Sequence, residues 1–378
     1  MDTIAASPRA ATNRLFGNNR LKLGTFATNV SNAAAITKIE DRHRVTWPAV
    51  AAIAKLADDA GFEAMVPVAR WRGFGGEIDF NGTNFETYTW AAGLAALTRN
   101  ATLFSTSHVP TIHPIVAAKQ ATTIDHISGG RFALNIVCGW FQPEFEMFGA
   151  KIMDHETRYA YAAEWIEVVR MLWTRDDEFD FEGKYFKIVK GYHRPKPIQQ
   201  PFPALMNAGS SETGRDFAAR HCDIVFTAFK GSYDEISRQV DAYRTYALRT
   251  YGREIQLWVN ALIVQDDSEA AAQAFLKHYV DDYGDWDAVD NMFRVMGLEG
   301  KVNVTGEALR NMKRKWIAGW NGLPCIGDAD QIADELGKIS ATGVDGCVVT
   351  FPRYEQGLRR FTQEVVPLLV QAGLRAQP

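Results

Sequence analysis

Eight short apolar runs, each followed by at least one stretch of helical pattern, recur along the 378-residue chain, and this order limits the fold more than any other feature. The runs cover residues 21–27, 62–68, 101–109, 131–140, 202–209, 222–229, 255–265 and 346–351. Several are unbroken apolar stretches rather than strict alternations, the pattern of strands covered on both faces. Helix ends between them are legible. Thr46 stands before Trp47 and Pro48 as a cap with proline in the first turn, and Gly61 closes that helix. Thr83 and Glu86 stand at capping-box spacing ahead of the next helix. Pro114 opens a helix that stops at Gly129 and Gly130, and apolar Ala162, Ile166, Val169 and Trp173 recur at helical spacing after Asp154. Eight strand–helix units predict an α/β fold of the TIM (β/α)8 barrel type. The doubly wound alternative wants a G-x-G-x-x-G turn after its first strand, and neither residues 24–35 nor 72–82 supply one.

Two gaps exceed the barrel repeat. After the fourth strand, an insertion of about residues 141–200 holds a helix, then a small hairpin turning at Glu182–Gly183. After the seventh, an insertion of about 267–330 carries helical segments at 268–280 and 308–320. Barrel active sites lie on the loops after the strands, so both insertions are expected to roof the site. Residues 1–20 are small, polar and weakly basic, and read as a flexible N-terminal arm with partner contact as the other reading. Residues 21–378 form one barrel domain in this reading.

A formal net charge of −4, without a Lys/Arg run, disfavours a nucleic-acid binder. No apolar segment reaches the roughly 18 residues of a membrane span, and the first twenty residues lack the apolar core of a secretory signal. Cys138, Cys222, Cys325 and Cys347 are far apart, without the close pairs a zinc or redox site wants. No metal is expected. Three of the four sit in or beside apolar runs, so buried reduced thiols and a cytoplasmic location are expected.

Residues 123–149, 155–173 and 327–351, with the elements above, resemble the bacterial luciferase-like flavin monooxygenases over roughly residues 20–375. Residues 70–76 (RWRGFGG) followed by 84–98 are similar to the pyrimidine-ring-opening members, which break a C–N bond. Residues 36–43 and the C-terminal segment are closer to the dimethyl sulfone monooxygenases, which break a C–S bond. The resemblance implies reduced FMN and O2 acting on a small molecule. It also implies a separate NAD(P)H:flavin reductase, since no NAD(P)H module is present, and a homodimer or homotetramer. Cleavage of a C–N bond in a small nitrogen heterocycle is the favoured reading, because its matches lie near the chemistry. Organosulfone cleavage is the alternative. Two further classes share the fold: deazaflavin-dependent dehydrogenases and non-catalytic flavin-binding proteins.

Candidate residues follow from chemistry first. Asn135 is an amide inside an apolar strand and needs a partner if buried: a neighbouring strand or a ligand carbonyl. Thr106 ends the third strand with one hydroxyl. The resemblance pairs the two as the residues that hold oxygen beside the flavin ring. Ser210 and Ser211 follow the fifth strand at a helix start, where they serve as caps or as phosphate ligands. The resemblance favours phosphate for Ser211 and adds Arg158 and Tyr159. It also assigns flavin contacts to Ala69, Arg70 and Glu144. The subgroup carries lysine where Arg70 stands, so a planar fork replaces a point charge. Glu144 is equally a helix-start carboxylate. Trp71, Trp140 and Phe141 follow strand ends and wall the pocket or pack in its rim. His108, His113 and His221 are acid–base candidates or packing residues. Arg353, beyond the eighth strand, greets a substrate or pairs with an acid such as Glu355.

Overall fold

The computed structural model describes residue 9, residues 12–298 and residues 306–377. Among them, nine strands form one sheet, eight of which close into a parallel barrel. Barrel order runs β1 (Lys22–Phe26), β2 (Ala64–Val66), β3 (Thr102–His108), β4 (Phe132–Val137), β7 (Ala204–Asn207), β8 (Ile224–Phe226), β9 (Gln256–Gln265) and β11 (Gly346–Thr350), which returns to β1. All five residues of β1, all seven of β3 and all five of β11 are buried. Unbroken apolar runs therefore mark strands enclosed by helices outside and side chains inside. The predicted barrel is the observed one.

The helices begin and end largely where local chemistry places them. Thr46 caps α1 (Trp47–Asp59), and Gly61 follows with φ +74°. The capping box predicted at Thr83 does not form. Glu86 itself caps α2 (Thr87–Ala95), its carboxylate accepting from the Tyr88 and Thr89 amides. α3 (Pro114–Ser128) ends at Gly129 in the left-handed region, and Asp154 caps α5 (His155–Thr174). Between β4 and β7 lie α4 (Gln142–Met147), α5 and the hairpin of β5 (Phe179–Glu182) with β6 (Lys187–Gly191). α6 (Glu212–His221) and α7 (Tyr233–Tyr251) follow β7 and β8, and α12 (Tyr354–Gln371) follows β11.

At the end of the barrel where the strands begin, buried charge is met by opposite charge or by backbone groups. Arg375 meets Glu63 at 2.8 Å and donates to the Leu21 and Gly61 carbonyls. Part of the span expected as a loose arm is seated here. Leu15 and Asn13 are fully buried, Asn13 bonding Gln199 and Thr102, and Arg9 pairs with Asp223. Residues 1–8, 10 and 11 lie outside the described residues.

The other end carries a roof built mainly from the long insertion: α8 (Glu269–Lys277), a π-helical turn at His278–Asp282, α9 (Trp286–Val295) and α10 (Glu307–Gly319). It has its own apolar cluster, in which Phe80, Tyr279, Val289, Met292, Phe293 and Ile317 are fully buried. A strand not foreseen, β10 (Leu323–Gly327), joins roof to barrel. The lower part of β9 pairs with β8 (Phe226 opposite Trp258), and its upper part pairs with β10, from Leu323 opposite Ala261 to Gly327 opposite Gln265. Short β8 leaves that edge of β9 open, and β10 takes its hydrogen bonds. β10 is followed by α11 (Ala329–Ala341), which opens with an Asp328–Gln331 capping box. All four cysteines are buried free thiols. Among the described residues no helix is long and apolar enough to cross a membrane, and no His/Cys/Asp/Glu group is arranged to hold a metal.

Candidate active site

A cavity of about 490 Å³ lies between the ends of the barrel strands and the roof. Its floor and walls come from strand ends: Phe26, Ala69 and Arg70, Thr106 and His108, Asn135 to Trp140, Asn207 to Ser211, Phe226 and Asn260. Met296, Trp316, Trp320, Asn321 and Leu323 close it from above. The position is the one barrel topology predicts for chemistry, because only loops beyond the strand ends can vary without disturbing the barrel. A wider groove beside it shares Trp140, Arg158, Ser210, Met296, Trp316 and Asn321.

Thr106 and Asn135 stand opposite each other in the β3–β4 register and are both buried. The Asn135 amide donates to Thr106 Oγ1 at 3.2 Å, and Thr106 donates to the Pro67 carbonyl at 2.6 Å. The threonine proton is thereby committed, which leaves its oxygen as an acceptor and orients the amide. Among the described residues Asn135 Oδ1 has no partner. A buried amide oxygen left bare costs about 1–3 kcal/mol, a cost that a bound group with an N–H would remove.

The second cluster lies where α5 meets the β7–α6 turn. Asn207, an amide in the apolar β7, donates to the Ile136 carbonyl at 2.6 Å and accepts from the Gly209 amide at 2.8 Å. This folds the turn back so that Gly209 and Gly214 pack against the Tyr159 hydroxyl. A Cβ on Gly209 would lie 2.6 Å from that oxygen, and one on Gly214 would lie 2.5 Å from it and 2.9 Å from Gly209 Cα. Ser211 is the N-cap of α6, its hydroxyl accepting from the Gly214 amide at 3.0 Å, and it also lines the cavity with Ser210. Arg158 donates to the Gly139 carbonyl and reaches the same space. Burial pushes the Tyr159 phenol up to about 12, so it is a donor at neutral pH. A helix start, two serine hydroxyls, a phenol and a guanidinium form a donor set that suits a phosphate monoester.

Between the clusters lies a dry ionic group. Arg70 is sealed beneath Phe74, Trp140 and Phe141, with its guanidinium 4.6 Å from the Phe74 ring centre. It pairs with Glu144 at 3.2 Å. Glu144 does not line the cavity; one carboxylate oxygen also accepts from the Trp71 and Arg72 amides, at 2.7 and 3.4 Å. His108 lines the cavity beside them, and burial, then Arg70, holds its pKa down at about 3. Cys138 is pushed up to about 12 by burial, so it remains a thiol.

Other expected pocket residues stand elsewhere. Trp71 is 41% exposed and edges onto Phe148, because the chain turns outward after Arg70. Phe141 is stacked with Phe74 in the roof cluster. Arg353 pairs with Asp41 rather than Glu355 and lies over the Phe275 ring, outside the cavity. His113 caps α3, and His221 packs against Arg170. Asn207, Asn260, Phe226, Trp316, Trp320 and Asn321 were missed. For the two asparagines the signal was present: each is a lone amide in an apolar strand, as Asn135 is.

A closed parallel sheet with a roofed cavity at its strand ends defines the fold class as a (β/α)8 barrel and the place of its candidate site. Residues 21–346 match the family model for luciferase-like monooxygenases, and the chain belongs to that family. It is 31% identical over 369 residues to the pyrimidine monooxygenase RutA of Bradyrhizobium sp. (strain BTAi1 / ATCC BAA-1182), covering 95% of this chain and 99% of that one. It is 30% identical over 360 residues to the FMNH(2)-dependent dimethylsulfone monooxygenase of Pseudomonas putida, covering 92% and 95%. The crystal structure of riboflavin lyase (RcaE) with modified FMN and substrate riboflavin superposes with a TM-score of 0.84 at 21% identity, over 94% and 93% of the two chains, and shares the fold.

Proposed function

We propose that this protein is a reduced-FMN-dependent monooxygenase that uses O2 to cleave a C–N bond in a small nitrogen heterocycle, with a separate NAD(P)H:flavin reductase supplying the flavin. The observation that carries this reading is a single cavity with a glycine-built phosphate cradle at one part and the Thr106–Asn135 amide at another. Ser210, Ser211, Arg158 and Tyr159 would hold the phosphate, with Gly209 and Gly214 letting the turn close against the Tyr159 hydroxyl. Ala69 and Asn135 would contact the ring. When bound, reduced FMN supplies the electrons that activate dioxygen. Asn135 offers its bare Oδ1 and its second N–H there, and Thr106 fixes the direction of both. Phe26, Phe226, Trp316 and Trp320 exclude water, which strengthens each polar contact inside. Similarity to the pyrimidine monooxygenase supports the substrate class.

The test is oxygen uptake with reduced FMN, followed by product analysis with labelled oxygen on azines, pyrimidines and sulfones. The expected result is label in a ring-opened product. Similarity to the dimethylsulfone monooxygenase supports a second reading, in which labelled sulfinate is the product instead. A deazaflavin-dependent dehydrogenase would consume no oxygen, and a flavin store would turn nothing over.

A further inference from the structure

His108 and Glu144 make a pair that the proposed chemistry leaves without a task. Glu144 is 1% exposed and His108 5%. One Glu144 oxygen is crowded with the Arg70, Trp71 and Arg72 donors. The other, Oε2, has no hydrogen-bond partner among the described residues, and neither has His108 Nδ1. These two bare atoms face each other at 3.6 Å.

A proton between them decides the tautomer. With Nδ1 bare, a lone pair would oppose a carboxylate lone pair in a dry site; with Nδ1 protonated, both atoms are satisfied. The distance is slightly beyond hydrogen-bond length, as catalytic contacts often are before a ligand closes the site. Nδ1 is sealed away, so the cavity meets the other nitrogen, Nε2. His108 lies two residues beyond Thr106 on the same face of β3, one layer above the Thr106–Asn135 pair. Burial and Arg70 keep the ring uncharged at neutral pH, so it accepts a hydrogen bond rather than carrying a proton away.

We infer that Glu144 positions His108 as the Nδ1–H tautomer, so that bare Nε2 is a fixed hydrogen-bond acceptor that selects a ligand bearing a ring N–H. This rests on the function proposed above and narrows its substrate to a heterocycle that bears a ring N–H. A sulfone has no such donor.

Two measurements on the full chain test it. The first needs no substrate. Nitrogen-15 spectra of histidine-labelled protein, with His108 assigned by its loss in His108→Gln, are expected to show Nδ1 protonated and Nε2 bare. Glu144→Gln places an amide N–H against Nδ1 and is expected to reverse the pattern. A wild-type spectrum with Nε2 protonated overturns the inference even if Glu144→Gln does not fold. The second compares binding of uracil with its N1- and N3-methyl derivatives to FMN-loaded protein. One methyl position is expected to weaken binding roughly 10- to 100-fold. In His108→Leu that difference is expected to vanish while FMN affinity stays within about twofold, well below the effect of one lost hydrogen bond. Persistence of the difference in His108→Leu, or a large loss of FMN affinity, overturns the selecting role. If no heterocycle binds, the substrate reading fails and the selection with it, while the spectrum still decides the tautomer.

Discussion

The barrel and its roof bury apolar residues equally well, yet they are held together by different means. In the barrel, every strand has at least two strand neighbours, and buried charges are held by an ion pair, as Arg375 by Glu63, or by backbone groups, as Asp58 by the Arg99, Asn100 and Ala101 amides. In the roof, helices meet over a smaller cluster centred on Met292 and Phe293, tied to the rest by β10, by Ile36 N–H on the Ile317 carbonyl and by Thr37 on the Tyr279 carbonyl. The barrel is therefore expected to lose its fold as a unit and the roof to loosen first. Ligand-covering elements generally come from the less stable part of a structure.

The largest way to break this contrast is at the buried ion pair. Arg375→Met strands the Glu63 carboxylate and is expected to cost about 3–5 kcal/mol of global stability, read by denaturant unfolding. Met292→Ala should cost about 2–5 kcal/mol within the roof. Its expected signature is faster proteolysis within 267–330 at an unchanged barrel melting temperature. A barrel melt lowered equally would mean that the two regions unfold as one. Gly214→Ala lies in α6 on the barrel side, directly behind the turn that lines the cavity. Helix propensity alone would make it neutral or better, but its Cβ meets Tyr159, so FMN affinity should fall roughly 10- to 100-fold by titration.

Acid should separate the regions next. Burial, then nearby arginines, holds the His221 pKa down at about 3, and burial, then two lysines, holds His193 at about 4; both pack against the barrel helices. The unfolded chain takes protons near 6.5 that the folded barrel refuses, so stability is complete above that pH. It falls as pH drops from there towards the folded values. The roof's single histidine, His278, is exposed rather than packed in its core. Acid melts should show barrel signals weakening below about pH 6.5, and His221→Gln should flatten that slope. The smallest effect belongs to Arg314→Gln, which removes a half-exposed pair with Asp281 and should change stability by about 0.2–1 kcal/mol.

The same contrast governs what could be read in advance. Barrel strands announce themselves because burial on both faces demands continuous apolar residues, which is why β3, β4 and β9 fall inside the predicted runs. Only their ends differ; β2 is three residues within a seven-residue run. β10 was invisible because a five-residue strand containing Pro324 carries no periodic signal. Its partner did carry one, since an eleven-residue run at 255–265 is too long for a barrel strand beside short β8. At the site, residues on regular elements came together, Thr106 on β3 against Asn135 on β4 and Tyr159 on α5 against the turn with Ser211. Residues beyond strand ends did not. Trp71, Phe141 and Arg353 depend on how a loop turns, which no local pattern specifies, and Glu144 serves its neighbours from outside the cavity.

The overhang of β9 has a consequence for how such enzymes diversify. Five register pairs with β10 anchor the roof to one strand, and the chain leaves and re-enters the barrel at neighbouring points near 266 and 327. A segment bounded that way is exchangeable. Recombination between relatives at those two points would bring in new residues over the cavity while the β7–α6 turn and α5 stay inherited intact. The cover of the cavity and the turn proposed to hold phosphate thus sit on separately heritable pieces of one chain, and His108 travels with the second.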